Sequence, residues 1–266
     1  FLNLFFILVL DMSVEGVAIG TIVATALSSA MLFYFLCRSQ TEIRVRLTEF
    51  HVDKRILLPM LRIGLPAGMQ GMVFALSNLC IQSAINELGP DVMAAASAAF
   101  NLEIFTFFLI NAFGQVCTTF VSQNYGARNI RRCKQAMKWC LFQDLLLTAC
   151  ICALLILFGV PLLHIFSDDS TVVALGFIRL KYVAGLEFIN AVIEVLSGAM
   201  RGYGSSLIPA LITLFGICGT RVTWVYTVFA WEPDFATLMM VFPVSWAVTA
   251  AILCVAYAWF IKQLKA

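Results

Sequence analysis

The stretch "SQNYGARNIRRCKQA" (residues 122–136) separates two of the most apolar runs in the chain, "FFLINAFGQVCTTFV" (107–121) and "LLLTACICALLILFG" (145–159). It holds Arg128, Arg131, Arg132 and Lys134, with Lys138 just beyond. A burst of positive charge between long hydrophobic blocks reads as the turn of a helical hairpin held on the cytoplasmic side of a membrane.

Composition agrees with that reading. Of 266 residues, 62% are hydrophobic and 12% charged, with a mean hydropathy of +0.95. Soluble domains run nearer ~50% apolar and ~25% charged, so the class is a membrane protein. Twenty-three Phe against six Tyr suit side chains that face lipid tails. The formal charge of +2 says nothing about partners.

A hydrocarbon core about 30 Å thick takes about 20 mostly apolar residues as a helix. Seven windows reach that length: 16–36, 64–86, 94–121, 139–163, 172–200, 207–230 and 237–261. They are continuous rather than alternating, and too long for barrel strands, so the fold class is an all-α polytopic helical bundle. Residues 1–10 read as the tail of an eighth helix whose start is missing, which makes this the C-terminal portion of a longer protein. The polar stretch 37–63 reads as a linker with a short surface helix.

Basic and acidic loops alternate. The segment 37–63 holds Arg38, Arg44, Arg46, Lys54, Arg55 and Arg62; later basic positions are Arg201, Lys262 and Lys265. The intervening loops "DMSVE" (11–15), "ELGPDV" (87–92), "FSDDST" (166–171) and "WEPDF" (231–235) hold no basic residue. The positive-inside rule then puts the basic loops and the C-terminus in the cytoplasm. Arg179 and Lys181 break the pattern, and Arg179 is expected to snorkel to an interface.

Charges at bilayer depth are expensive and need a reason. Glu103, Asp144, Glu187 and Glu194 fall within the windows, with Asp144 expected near an interface because Lys138 is close. If 172–200 is one helix, Arg179, Asn190, Glu194, Ser197 and Arg201 share a sector about 60° wide, with Glu187 at its edge. Arg221 on the next helix is the expected partner of Glu194. Gln70, Asn78, Gln82 and Asn86 mark a second polar stripe, and Asn111 and Gln115 lie on a broader polar face of 94–121. Such amides either cross-link helices or line a cavity. Gly216 and Gly219 read as a small-residue patch for close helix approach, and Gly64 with Pro66, and Pro209, as helix openings.

The nine Cys form no CxxC pair and read as reduced, buried fillers; His51 and His164 read as structural. There is no phosphate-binding loop, dinucleotide fingerprint, HExxH or Cys/His metal spacing, so neither an enzyme nor a metal or organic cofactor is expected.

Three segments resemble the multidrug and toxic compound extrusion (MATE) family: "IGLPAGMQGMVFALSNLCIQSAINELG" (63–89), "TTFVSQNYGARNIRRCKQA" (118–136) and "LSGAMRGYGSSLIPALITLFG" (196–216). The motif positions are Pro66, Gln123, Gly126, Arg201, Gly202, Gly204 and Pro209. Gly126 is expected to end its helix in a left-handed conformation, with Gln123 and Asn124 bonding freed carbonyls. The resemblance implies twelve helices in two lobes, with 1–36 the end of the N-terminal lobe (part of helix five and helix six), 37–63 the inter-lobe linker and 64–266 the C-terminal six-helix lobe. It implies an antiporter of the plasma membrane that exports organic cations, drugs or metabolites in exchange for Na+ or H+, monomeric when full length, with lipid around it and no nucleic-acid partner. Two acid positions of some members are here Phe74 and Asn190. Glu194 and Glu103 are expected to carry ion coupling with Asn190 and Glu187, and Gln70, Asn78, Gln82, Asn111 and Gln115 to line the cavity. The alternatives are a lipid-linked oligosaccharide flippase, disfavoured because the deep charges are mostly acids, a seven-helix receptor and an intramembrane enzyme.

Overall fold

In the computed structural model, residues 5–7, 9, 12, 14–40, 44–45 and 52–264 are described. The expected helix end over 1–10, most of the linker interior with Arg46 and His51, and Lys265 lie wholly or largely outside them.

The chain divides into two units, Phe1–Leu57 and Leu58–Ala266. The first contains α1 (Val14–Arg38), an apolar helix whose hydroxyls at Thr21 and Thr25 bond back to the carbonyls of Val17 and Thr21. That habit lets a polar side chain sit at bilayer depth without an unmade bond.

The second unit is an all-helical bundle. α2 (Lys54–Glu87) begins in the first unit and continues through Pro59 and Pro66, so residues 54–63 belong to a helix rather than to a loop. Gly89, with φ 102°, and Pro90 turn the chain sharply into α3 (Pro90–Gly126). α4 spans Ile130–Leu157, α5 is the single turn Gly159–Leu163, α6 spans Ser170–Tyr182 and α7 Phe188–Gly202. α8 runs over Leu207–Phe229 and α9 over Phe235–Gln263. Among the described residues six helices, α1, α2, α3, α4, α8 and α9, are long and apolar enough to cross a membrane.

The window 172–200 behaves differently. Its helix stops at Tyr182, passes through a tight 3-10 turn at Ala184–Leu186 and restarts at Phe188. Gly185 sits at the centre of that turn. α6 and α7 are therefore separate pieces of one broken span, and the single polar face inferred across Arg179 to Arg201 does not exist as a continuous stripe.

The basic hairpin turn is also built otherwise than expected. Gly126 is the last helical residue of α3 with open space around it, and the left-handed residue is Arg128, at φ 57°. Asn129 is the Asn that matters: its side chain accepts from the Arg132 amide at 3.1 Å and caps α4. Asn124 donates back to Phe120 within α3 at 2.7 Å. Of the other motif glycines, Gly204 does adopt a left-handed φ of 86°, between α7 and α8.

α7 forms the centre of the bundle and packs on α3, α4 and α9. Gly198 and Gly202 face α3 so closely that a Cβ at Gly198 would collide with the Gly114 carbonyl, and one at Gly202 would lie 2.7 Å from Val121 Cβ. Thr118 bridges the crossing, its hydroxyl within reach of the Gly198 and Gly114 carbonyls at 3.0 and 2.9 Å. Small residues and a hydroxyl hold helices together where lipid removes any hydrophobic gain from association. Gly216 makes the same kind of contact with Thr249, whereas Gly219 faces open space. α8 is locally unwound into π-helix at Leu214–Gly219 and Val225–Phe229. All nine thiols are free.

Candidate functional site

The charged side chains expected at bilayer depth fall into three clusters inside the second unit, with pairings that spacing alone does not suggest. In the first, Glu103 on α3 receives Arg179 from α6. Arg179 Nε lies 3.0 Å from Oε1, and Nη2 lies 2.9 Å from Oε2. Both residues are buried, at 4% and 7% exposure, and the guanidinium lies over the rings of Phe100 and Phe242. A forked guanidinium–carboxylate pair is the geometry in which two charges tolerate low dielectric. Arg179 thus does not snorkel to an interface but belongs to an interior ion pair, whereas Lys181, the other exception to the loop pattern, is exposed and lies over the Phe177 ring.

Glu187 sits beside this pair, in the break between α6 and α7, where it interacts electrostatically with Glu103 and Arg179. It is 4% exposed and its Oε2 has no hydrogen-bond partner among the described residues. Two carboxyl groups therefore share one arginine, and Glu187 is left the unmatched member. The helix break is what turns it inward among these charges.

The second cluster lies between α3, α4 and α7. Glu194 pairs with Arg201 two turns along its own helix, at 3.5 Å, and not with Arg221. Its carboxylate occupies the space over Gly114, where a Cβ would come within 3.3 Å of Oε2. Asp144 of α4 is fully buried in mid-helix, and its Oδ1 accepts from Thr148 at 3.0 Å. Ser197 is buried on the same helix as Glu194 with an unpartnered hydroxyl.

The third cluster is centred on Arg221 of α8, 1% exposed. It donates to Asn78 Oδ1 of α2 at 2.8 Å and to Ser245 Oγ of α9 at 3.4 Å, and it lies over the faces of Phe242 and Phe74. Phe74, at a position where the resemblance implies an acid, supplies an aromatic face to this arginine.

The amide stripe of α2 is only partly gathered here. Asn78 reaches another helix, while Gln82 bonds Asn86 on the same helix at 3.0 Å and Gln70 is half-buried. On α3, Asn111 bonds back to Phe107 at 2.8 Å and Gln115 is exposed. Asn190 is buried at 6% exposure on α7, three residues past Glu187. Asp144 turns into the bundle, and proximity to Lys138 along the chain does not reveal which face of α4 does so.

Known proteins share this architecture. The chain is 24% identical over 219 residues to the probable multidrug resistance protein NorM of Thermotoga maritima, covering 80% of this chain and 46% of that protein. It is 23% identical to the probable multidrug resistance protein YoeA of Bacillus subtilis over 79% of this chain and 46% of that one. It is 21% identical to the multidrug export protein MepA of Staphylococcus saprophyticus, covering 80% of this chain and 50% of that protein. The chain thus spans about half the length of the curated relatives it matches. A MATE crystal structure in complex with MaL6 superposes with a TM-score of 0.90 at 18% identity, over 99% of this chain and 60% of that one. A MOP superfamily transporter from Pyrococcus furiosus, described as having a binding pocket of reverse polarity, superposes at 0.89 and 19% identity, over 100% of this chain and 60% of that one. The model of the MatE family matches residues 66–227, more than half of the sequence, and the chain belongs to that family of multidrug and toxic compound extrusion transporters.

Proposed function

We infer that the chain is the C-terminal lobe, with the end of the N-terminal lobe, of a secondary antiporter that exports organic cations, drugs or metabolites across the cytoplasmic membrane in exchange for Na+ or H+. In this reading 1–36 closes the first lobe, 37–63 is the inter-lobe linker, 64–266 is the second lobe and the C-terminus is cytoplasmic. The observation that carries the reading is the family match, joined to relatives that bear multidrug resistance and export names.

The interior charges support a division of roles. Glu103 is already matched by Arg179, so it sets the field rather than exchanging partners. Glu187, with an oxygen unpartnered among the described residues beside that pair, and Glu194, held by a longer contact to Arg201, are the carboxylates that can trade a proton or Na+ for a substrate cation. Asn190 lies between them in sequence and supplies a neutral donor and acceptor. Gln70, Asn78, Gln82, Asn111 and Gln115 line the route of a polar solute.

A second reading rests on Arg221. A deeply buried guanidinium held by an amide, a hydroxyl and two rings suits a substrate with an anionic group, as a lipid-linked oligosaccharide flippase would require. Everted vesicles containing the natural full-length protein and loaded with a fluorescent organic cation separate the two. A Na+ pulse or pH jump should release the dye from wild type, and Glu187→Gln or Glu194→Gln should abolish the release. Absence of release under either gradient, with retained binding of a pyrophosphate-headed lipid, would favour the second reading.

A further inference from the structure

One buried carboxyl group takes no part in the reading above. Asp144 is 0% exposed, in the middle of a membrane-spanning helix. One of its oxygens accepts from Thr148, and the other, Oδ2, is buried with no hydrogen-bond partner among the described residues. The charge that acts on it is of like sign, Glu194 across the α4–α7 interface. Arg201, the cation of that interface, is already taken up by Glu194.

An ionised carboxylate with one neutral donor and a like charge beside it is not a stable arrangement at this depth. Removing one from water without a compensating cation is among the most unfavourable steps in folding. An arginine so placed would have no escape, but an aspartic acid can neutralise itself by binding a proton. The proton turns Oδ2 from an orphaned acceptor into a donor and removes the like charge that Glu194 opposes.

We propose that Asp144 is a proton-binding site on α4, which holds its proton against Glu194 of α7 and loses it only when the α4–α7 interface opens. Other titrating groups surround Asp144. On α4 itself these are Cys140 and, two turns beyond Asp144, Cys152. α3 contributes Cys117, which lies against Cys140. α7 contributes Glu194 and Arg201, and the helix break contributes Glu187, which acts on Cys152. The thiols carry no charge to offset Asp144, Arg201 is matched by Glu194, and Lys138, earlier on α4, is exposed. Gly198 and Gly202 hold α7 close against α3. Movement of α4 relative to α7 would admit water to the carboxyl group.

The proposal stands whether or not the protein exports anything, and its test needs no transport. The natural full-length protein in nanodiscs is examined by infrared difference spectroscopy between acid and alkaline pH, as wild type, Asp144→Asn and Glu194→Gln. The isosteric, neutral Asp144→Asn keeps the fold. The expected result is a protonated-carboxyl stretch in wild type that is lost in Asp144→Asn and shifted in frequency, but retained, in Glu194→Gln. The wild-type thermal midpoint should fall at alkaline pH, and the midpoint of Asp144→Asn should not follow it. Superimposable wild-type and Asp144→Asn spectra would overturn the proposal. So would loss of the band in Glu194→Gln alone, which puts the proton on Glu194, or its removal by Na+ at constant pH, which makes the site one for a metal cation.

Discussion

α2 and α7 are both apolar helices with a scattering of polar residues, yet they occupy opposite environments. The most apolar window of α2 has no buried residue, and Leu58, Leu65, Met69 and Leu79 all face outward. α2 meets the bundle through Ser77, Ile81, Ala84 and Ile85, with Asn78 and the Val73 carbonyl reaching α8. α7 is buried along nearly its whole length. Hydrophobicity does not separate the two, because lipid tails solvate leucine as well as a protein core does. What separates them is the glycine seam of α7 and the charges it brings inward. In this molecule the polar and the small residues decide where helices meet, and the large apolar ones fill what remains.

The contrast can be tested by removing one feature at a time. The largest effect is expected where a single change strands a buried charge. Arg179→Met leaves Glu103 uncompensated and should lower the unfolding free energy in detergent by about 3–5 kcal/mol. The double variant Glu103→Leu/Arg179→Met should recover most of that loss, since a buried pair replaced by apolar groups of similar size is close to neutral. A double variant no better than the single would mean that the pair organises the helix break and does more than balance charge.

Next comes the seam itself. Gly198→Ala adds one methyl against the Gly114 carbonyl and should cost about 1–3 kcal/mol, the usual range for overpacking. Gly219→Ala, which meets nothing, is the control and should be neutral or slightly stabilising. Asn78→Leu should fall in a similar range, about 1–3 kcal/mol, because it takes away a bond from buried Arg221. Its effect should vanish in Arg221→Met, where no guanidinium is left to satisfy, and thermal melts of wild type, the two single variants and the double complete that cycle.

The smallest effect belongs to the exposed side of α2. Leu65→Ala should change stability by no more than about 0.5 kcal/mol, the range for exposed positions. A loss of 2 kcal/mol or more would show that this face is covered in the natural protein and would remove the contrast with α7.

Much of this architecture is legible in the chain. Runs of about 20 apolar residues, broken by Gly, Pro and charge, can only become helices in a medium that offers the backbone no other partner. The windows, the basic hairpin turn at 122–136 and the interior acids all follow from that one constraint, and three motifs sufficed for the family resemblance. Hydropathy does not register a helix break such as Ala184–Leu186, because a 3-10 turn inside a buried span is as apolar as the helix around it. That omission put Arg179 and Glu194 on one stripe that the folded chain does not have. The partners of each charge were likewise undetermined, because Glu103–Arg179 and Arg221–Asn78 join residues far apart in sequence. Sequence by itself determined which residues must span the membrane and which of them are too polar to do so alone. Only the tertiary structure decided which charge answers which, because that depends on the direction each helix turns its face once the glycine seam has brought the helices together.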